Sequence, residues 1–467
     1  MRARRAITWA LLFAFCFAAI PRPAAAWQLI VPLTGHRRKT IDPRTLFHTL
    51  LTDFFPQQDG TTYVQTGDIP AMWLRDSAAQ TIPYIPFARY YEPVRVRVRG
   101  ALAREALDIE TDPYANAFQA DFHIWERKWE IDSLAWPVLL AWTYYNETHD
   151  RSIFTPSLHR AFSTIVTTYD CERRHATCSR YHYPYHVPTH RAYNPNTGMV
   201  WSAFRPSDDP VVYRYNIPQN ALAVIALEEL ASLARSGWHD RALAQHAIAL
   251  AERVYAGIVR YGIVRDPRTG RSIYAYEVDG LGNAKLMDDA NLPSLLGLPY
   301  IGWCSTDNPL YIRTRNFVLS RGNPYYFSGR YAAGIGSPHT PYDNVWPLSI
   351  ITRALTSTSS PEVAEAITEL AETDGSAGLI HESFYVNGWW RYTRADFGWA
   401  NALYAELLFR SIATFRQPPM LPFGTLVGRN RITETPTLVS PIVQFENSGT
   451  IFAALDATLN ERRAEAQ

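Results

Sequence analysis

Cysteine, net charge and metal-ligand spacing are what this 467-residue sequence has least of, and each shortage removes a class of function. Four cysteines are too few for a disulfide scaffold. Cys171 and Cys178 match no common zinc pattern even with His175 between them, and they read as a candidate disulfide, with Cys304 a single thiol. His186 and His190 stand four apart, but Pro184 and Pro188 break any helix there and no glutamate follows the first histidine. No metal and no cofactor is therefore expected. A formal charge of +1, with no long basic block after the first few residues, offers nothing for a nucleic-acid backbone to bind. No Gly-rich loop follows a strand to cradle phosphate, and no G-x-S-x-G elbow supports a serine nucleophile.

What the chain does have begins with an N-terminal leader. Arg2, Arg4 and Arg5 precede the apolar run Ala10–Ile20, which is shorter than the ~20 residues of a membrane span, and Ala24-Ala25-Ala26 supplies a cleavage site before Trp27. Residues 1–26 are thus expected to be an export signal, giving a periplasmic or secreted chain with no membrane span after cleavage. The sequence is also rich in aromatics, with 14 Trp and 27 Tyr, and such rings are common in carbohydrate sites.

Apolar residues at three- and four-residue spacing predict helices over 42–55, 133–149, 157–170, 219–235, 239–258, 344–357, 360–374 and 396–415. Weaker patterns near 77–91, 100–110, 291–298 and 310–320 bring the total to roughly a dozen. Val94-Arg95-Val96-Arg97-Val98-Arg99 alternates like a strand but runs straight into helix-favouring residues, so both readings stay open. Long loops over 181–218 and 322–343 are rich in polar and aromatic residues, and loops of that length are usually functional. A dozen helices in antiparallel pairs close into an all-α toroid, with the long loops gathered around a pit at one end. The expected organisation is one helical domain over 27–415 and an appendage over 416–467.

Three polar clusters carry the chemistry. Thr66-Gly67-Asp68-Ile69-Pro70-Ala71-Met72-Trp73-Leu74-Arg75-Asp76-Ser77 places carboxylates, a guanidinium and an indole around a turn, the equipment of a sugar pocket, although Asp76 or Ser77 also reads as a helix cap. Phe204-Arg205-Pro206-Ser207-Asp208-Asp209 precedes a helix, and His381-Glu382-Ser383-Phe384 follows Asp374-Gly375. Glycoside hydrolysis needs one protonated and one ionised carboxyl flanking a single bond, and a like charge raises the pKa of its neighbour. A solvated turn at Asp208-Asp209 and a loop salt bridge between His381 and Glu382 are the alternatives.

Read together, these motifs resemble glycoside hydrolase family 125, the metal-independent exo-α-1,6-mannosidases. The resemblance is carried by DGTTYVQTGDIPAMWLRDSAAQ at 59–80, DPYANAF at 112–118, WERKWEIDSLAWP at 125–137, GMVWSAFRPSDD at 198–209 and IPQNALAV at 217–224. It continues through MDDANLPSLLGLPYIG at 287–302, GIGSPHTP at 334–341, HESF at 381–384 and WANALYAEL at 399–407. It implies an (α/α)6 barrel, inverting hydrolysis, no metal, and an α-mannoside oligosaccharide or glycoprotein glycan as partner. By motif, Glu382 is the general base and Asp209 the preferred general acid, with Asp208 the alternative. Asp68, Trp73, Arg75 and Asp76 would line the pocket. Glu130, Asp132, Arg205, Asn291, His339 and Asn344 would line it or support it from behind. Asp396 stands where tryptophan is common in the family, which bears on the aglycone side, and the tail after 415 is longer than usual. A noncatalytic glycan-binding protein, or a toroidal glycosidase of other linkage, is the competing reading.

Overall fold

A computed structural model of the protein describes residues 28–32, 38–181, 192–375, 378–411 and 444–446. Its helices sort into two kinds by the width of their apolar face. Ile217–Leu233 and Gly398–Ser411 are buried almost all round, as are Leu74–Thr81, Ile131–Thr148 through most of its length, and Pro347–Leu355. A helix apolar on every side belongs in the middle of a molecule. In contrast, Arg241–Tyr261 buries Ala244, Ala247, Leu250, Ala251, Val254 and Ile258, a single stripe at three- and four-residue spacing. Pro156–Glu172 and Ser360–Thr373 do the same, so these helices lie outside with one face inward.

Packing follows that sorting. Leu74–Thr81 packs on both Ile131–Thr148 and Gly398–Ser411; Ile131–Thr148 packs in turn on Ile217–Leu233, and Gly398–Ser411 on Pro347–Leu355. The irregular stretch Leu292–Ile301 is buried as well, and Tyr300 donates to Glu406 of Gly398–Ser411 at 2.9 Å. Outer helices Glu92–Thr111, Pro156–Glu172 and Arg241–Tyr261 contact one another in chain order around the inner helices. The result is the expected toroid of inner and outer helices.

Connections from inner to outer helices are short, as at 234–240 and 356–359, whereas those from outer to inner helices are long. The long ones carry small antiparallel sheets that the periodicity had not predicted, each of two or three strands. In one of them Met72–Trp73 pairs with Ala117–Phe118, which pairs with Ile124–Glu126; in another Asn344–Val345 pairs with Ser383–Tyr385 and that strand with Gly388–Thr393. These ladders lash the loops into a rim at one end of the ring.

Several local expectations change. The alternating Val-Arg run lies in the helix Glu92–Thr111, where Val94 and Val98 are four apart and buried while Val96 is exposed. Period two and period four coincide over so short a run. The predicted 291–298 helix does not form: the carboxylate of Asp288 accepts the N–H groups of Leu295 and Leu296, and Pro293, Gly297 and Pro299 interrupt the segment. Residues 42–55 give a 3₁₀ turn Pro43–Phe47, a short helix His48–Thr52 and a strand Phe54–Pro56.

Cys171 and Cys178 are joined by a disulfide at the end of Pro156–Glu172, with a Cα–Cα distance of 5.3 Å, and Cys304 is a buried thiol. The expected signal at 1–26 lies outside the described residues. So do His186, His190 and most of the tail, of which only the strand Gln444–Glu446 is described; it pairs antiparallel with Gln28–Ile30. Among the described residues no helix is long and apolar enough to cross a membrane.

Candidate active site

Four of the charged candidates sit at the start of an inner helix, and the others lie on the loops that lead into the inner helices. Arg75 and Asp76 occupy the first turn of Leu74–Thr81, Glu130 is the cap residue of Ile131–Thr148 and Asp132 lies in its first turn. Helix N-termini carry partial positive charge, so carboxylates are favoured there. No side chain caps the Leu74 helix; Ser77 bonds Glu105 and Asp76 faces inward, which corrects the capping alternative.

The Asp208 loop is a tight turn. Arg205 N–H donates to the Asp209 carbonyl at 2.8 Å and Asp208 N–H to the Arg205 carbonyl at 3.0 Å. Glu277, fully buried, fastens both ends: it accepts from Arg205 Nε at 2.6 Å and from the N–H groups of Val212 and Tyr213 at 2.8 and 3.0 Å. Asp208 has φ +63°, a left-handed conformation uncommon for a non-glycine residue and often found at functional sites. Its neighbour Asp209 faces elsewhere, toward Ser207 Oγ at 3.2 Å and His339 Nδ1 at 3.7 Å.

A cavity of about 220 Å³ opens within the rim. Trp73, Arg75, Asp76, Asp208, Asn291, His339 and Glu382 line it, all of them candidates from sequence. Glu130 and Asp132 lie behind Arg75, Arg205 is turned toward Glu277, and Asn344 donates to Ser383 Oγ at 2.9 Å. Asp68 stands at the edge, bound by Arg394 at 2.7 Å. Thus Asp208 lies on the cavity wall and Asp209, preferred as the acid from the motif, lies beside it. His381 does not bridge to Glu382; its ring stacks on Tyr392 at 3.8 Å.

Sequence reasoning missed Lys128, Glu126, Arg394, Trp346 and Phe397, which complete the wall. Lys128 and Glu126 stand inside the quoted run at 125–137, so a count of charged residues within the motifs would have found them. Arg394 had no such signal. It reaches Asp68 and lies 3.8 Å from Glu382, bringing a cation to that carboxylate from a loop outside the quoted motifs.

Electrostatics centre on Arg75. Its guanidinium contacts Glu130 at 2.7 Å, Asp208 at 3.1 Å, Asp132 at 3.3 Å and Asp76 at 3.3 Å. Arg75 alone does not balance four carboxylates, which favours retention of protons on the most buried of them. Burial pushes Asp76 and Asp132 each up to about 6 against the pull of Arg75. Burial and the nearby Asp208 charge raise Glu130 well above the usual range. Burial would raise Asp208 too, but Arg75, a hydrogen bond from Glu130, Lys128 and His339 together hold it below its ordinary value. His339, paired with Asp209 and facing the charges of Asp208 and Glu382, is raised to about 9. Among the described residues no group of His, Cys, Asp and Glu is placed to hold a metal.

The family model for metal-independent alpha-mannosidases, GH125, matches residues 39–409. The chain belongs to this family. It is therefore a glycoside hydrolase of the α-mannosidase class, and its toroid is the (α/α)6 barrel. A GH125-type α-mannosidase structure from Streptococcus pneumoniae, described as a non-productive complex with α-1,6-mannobiose, is 37% identical with a TM-score of 0.75, covering 78% of this chain and 91% of that one. The meiotically up-regulated gene 157 protein of Schizosaccharomyces pombe is 36% identical over 421 residues, 81% of this chain and 82% of the yeast protein. A bacterial glucoamylase solved with acarbose shares the fold alone, at 14% identity and a TM-score of 0.54, covering 80% of this chain and 53% of the glucoamylase.

Proposed function

We propose that this α-mannosidase removes single terminal mannose units from α-1,6-linked ends, with inversion, using Asp208 as general acid and Glu382 as general base. The observation that carries the reading is that Asp208 and Glu382 enter one small cavity from separate loops, each beside its own arginine. Asp209, turned to His339, then supports the acid loop. At about 220 Å³ the cavity is smaller than the ~300–1,000 Å³ of drug-sized sites, room for a chain end rather than a chain. Among the described residues Trp73 Nε1 is buried there without a hydrogen-bond partner and Asp76 Oδ2 has only the ion-pair contact with Arg75 at 3.3 Å, a donor and an acceptor suited to sugar hydroxyls. The α-1,6-mannobiose held by the Streptococcus relative supports the linkage.

In the reaction, the acid protonates the glycosidic oxygen as the C1–O bond breaks. Glu382 takes a proton from a water whose oxygen attacks C1 from the opposite face. Arg394 brings its guanidinium within 3.8 Å of Glu382.

The test is a panel of mannobioses of defined linkage, with an α-1,6-mannan. Free mannose from the α-1,6 compound, and from the mannan before any oligosaccharide, is expected. Internal oligosaccharides first would defeat the exo reading, preference for another linkage would move the specificity, and binding without release would leave a glycan-binding protein. Export belongs to the same proposal: the mature chain should begin near Trp27, and a retained N-terminus in intact mass from the native host would refute it.

A further inference from the structure

Glu130 is fully buried, and Arg75 and Asp208 stand between it and the cavity. Glu130 Oε2 accepts from Arg75 Nη1 at 2.7 Å and from Ser133 Oγ at 3.1 Å, while Oε1 has no donor to it among the described residues. The remaining neighbour is the Asp208 carboxyl, held beside it on the same Arg75 guanidinium. Two carboxyls gathered on one guanidinium favour keeping a proton between them. The charges facing the pair decide where the proton rests. Arg75 faces both members, Asp132 presses on Glu130 from its own helix, Lys128 acts on both but more strongly on Asp208, and His339 faces Asp208. Cations gathered on the cavity side favour a charged Asp208, and the sealed interior favours a neutral Glu130.

An ionised Asp208 is the wrong form for a general acid, and the arrangement resolves the conflict. We propose that the acid is a pair of carboxyls, in which Glu130 stores the proton and Asp208 relays it to the glycosidic oxygen. The proposal rests on the reading of Asp208 as the acid. As the C1–O bond breaks, the single stored proton passes from Glu130 to Asp208 and from Asp208 to the leaving oxygen, leaving both carboxyls ionised against Arg75. On the other face the attacking water bonds C1 and gives its proton to Glu382. After mannose and the alcohol leave, Glu382 releases its proton to solvent and Glu130 recovers one through Asp208, so the cycle balances. Glu130 touches no substrate and is a positioning residue that also holds the proton.

The test compares α-1,6-mannobiose, whose leaving group needs a proton, with 2,4-dinitrophenyl α-mannoside, whose leaving group does not. For Glu130→Gln, kcat/KM on mannobiose should fall about 100-fold at neutral pH, the loss on the dinitrophenyl substrate should be at least about tenfold smaller, and the alkaline limb of the mannobiose profile should move acidward by a unit or more. Equal losses on both substrates, or an unmoved limb, would overturn the relay. Asp208→Asn separates the two claims: if it spares mannobiose, Asp208 is not the acid, and if it shows the acid signature while Glu130→Gln does not, only the relay fails. Should Glu130→Gln not fold, the wild-type profile decides. The relay requires a mannobiose alkaline limb above the ordinary carboxyl range, near pH 4, and a limb within that range would contradict it.

Discussion

Asp208 and Asp209 differ by one position in the chain and by their whole environment in the fold. Asp208, at φ +63°, turns to Arg75 and the cavity, and Asp209 turns to His339. No reading of types and spacing separates two identical neighbours, because the deciding quantity is a backbone torsion set by Glu277 some seventy residues away. Asp208→Asn is expected to lower kcat on α-1,6-mannobiose by at least ~100-fold, as is Glu382→Gln, whereas Asp209→Asn should cost less than ~10-fold. Steady-state kinetics on the three variants checks this, and a larger loss at Asp209 would restore the order preferred from the motif. The cluster itself was legible: Trp73, Arg75, Asp76, Asn291, His339 and Glu382 were all named from sequence and all meet at one cavity. Arg394 was not, since an arginine in a loop carries no mark of which carboxylate it will face.

At the scale of elements, the 66–70 turn and the 394–398 segment form one wall of the cavity. Gly67 has φ +55°, and a Cβ there would lie 2.4 Å from the Asp396 carbonyl oxygen and 2.7 Å from the Gly398 nitrogen, both backbone. Asp68 N–H donates to that same carbonyl at 3.1 Å. The Asp396 side chain, at the position where tryptophan is common in the family, is turned away to His48 at 2.7 Å and Asn401 at 2.9 Å, so here it serves as an anchor for the wall. Gly67→Ala should push the two segments apart and carry Thr66 and Ile69 off the wall. A rise in KM of about tenfold or more, equivalent to roughly 1.4 kcal/mol of binding, is expected with helical content unchanged. An unaltered KM would show that the wall does not set the pocket. Helices with one apolar stripe were read well because period alone identifies them. The Val94–Arg99 run was not, because its inward residues fit two periods, and the 291–298 stretch failed because a buried carboxylate competes for its backbone donors.

For the whole molecule, the division of labour is between a ring of buried helices and a rim of long loops at their N-terminal ends. That arrangement was expected from the number of helices and the uneven loop lengths, whereas the small sheets that tie the rim were not, since two- and three-residue strands leave no periodic trace. It also buries many carboxyls. Burial raises Asp288 to about 8, and Asp76 and Asp132 to about 6, all above the ordinary value of 3.8. Such groups favour the fold fully below their unfolded pKa, and the contribution is lost as pH rises through the folded values. Thermal unfolding followed from pH 5 to 9 should therefore show a falling midpoint, with much of the change between 6 and 8; a midpoint that rises across this window would contradict the assigned burial. The central claim is that Asp208 and Glu382 act from opposite faces of one mannose with a water between, which for inverting enzymes goes with carboxyls about 6.5–9.5 Å apart. The most direct test is proton NMR of the first mannose released from α-1,6-mannobiose, recorded before mutarotation. The β-anomer appearing first is the predicted result, and the α-anomer appearing first would contradict it.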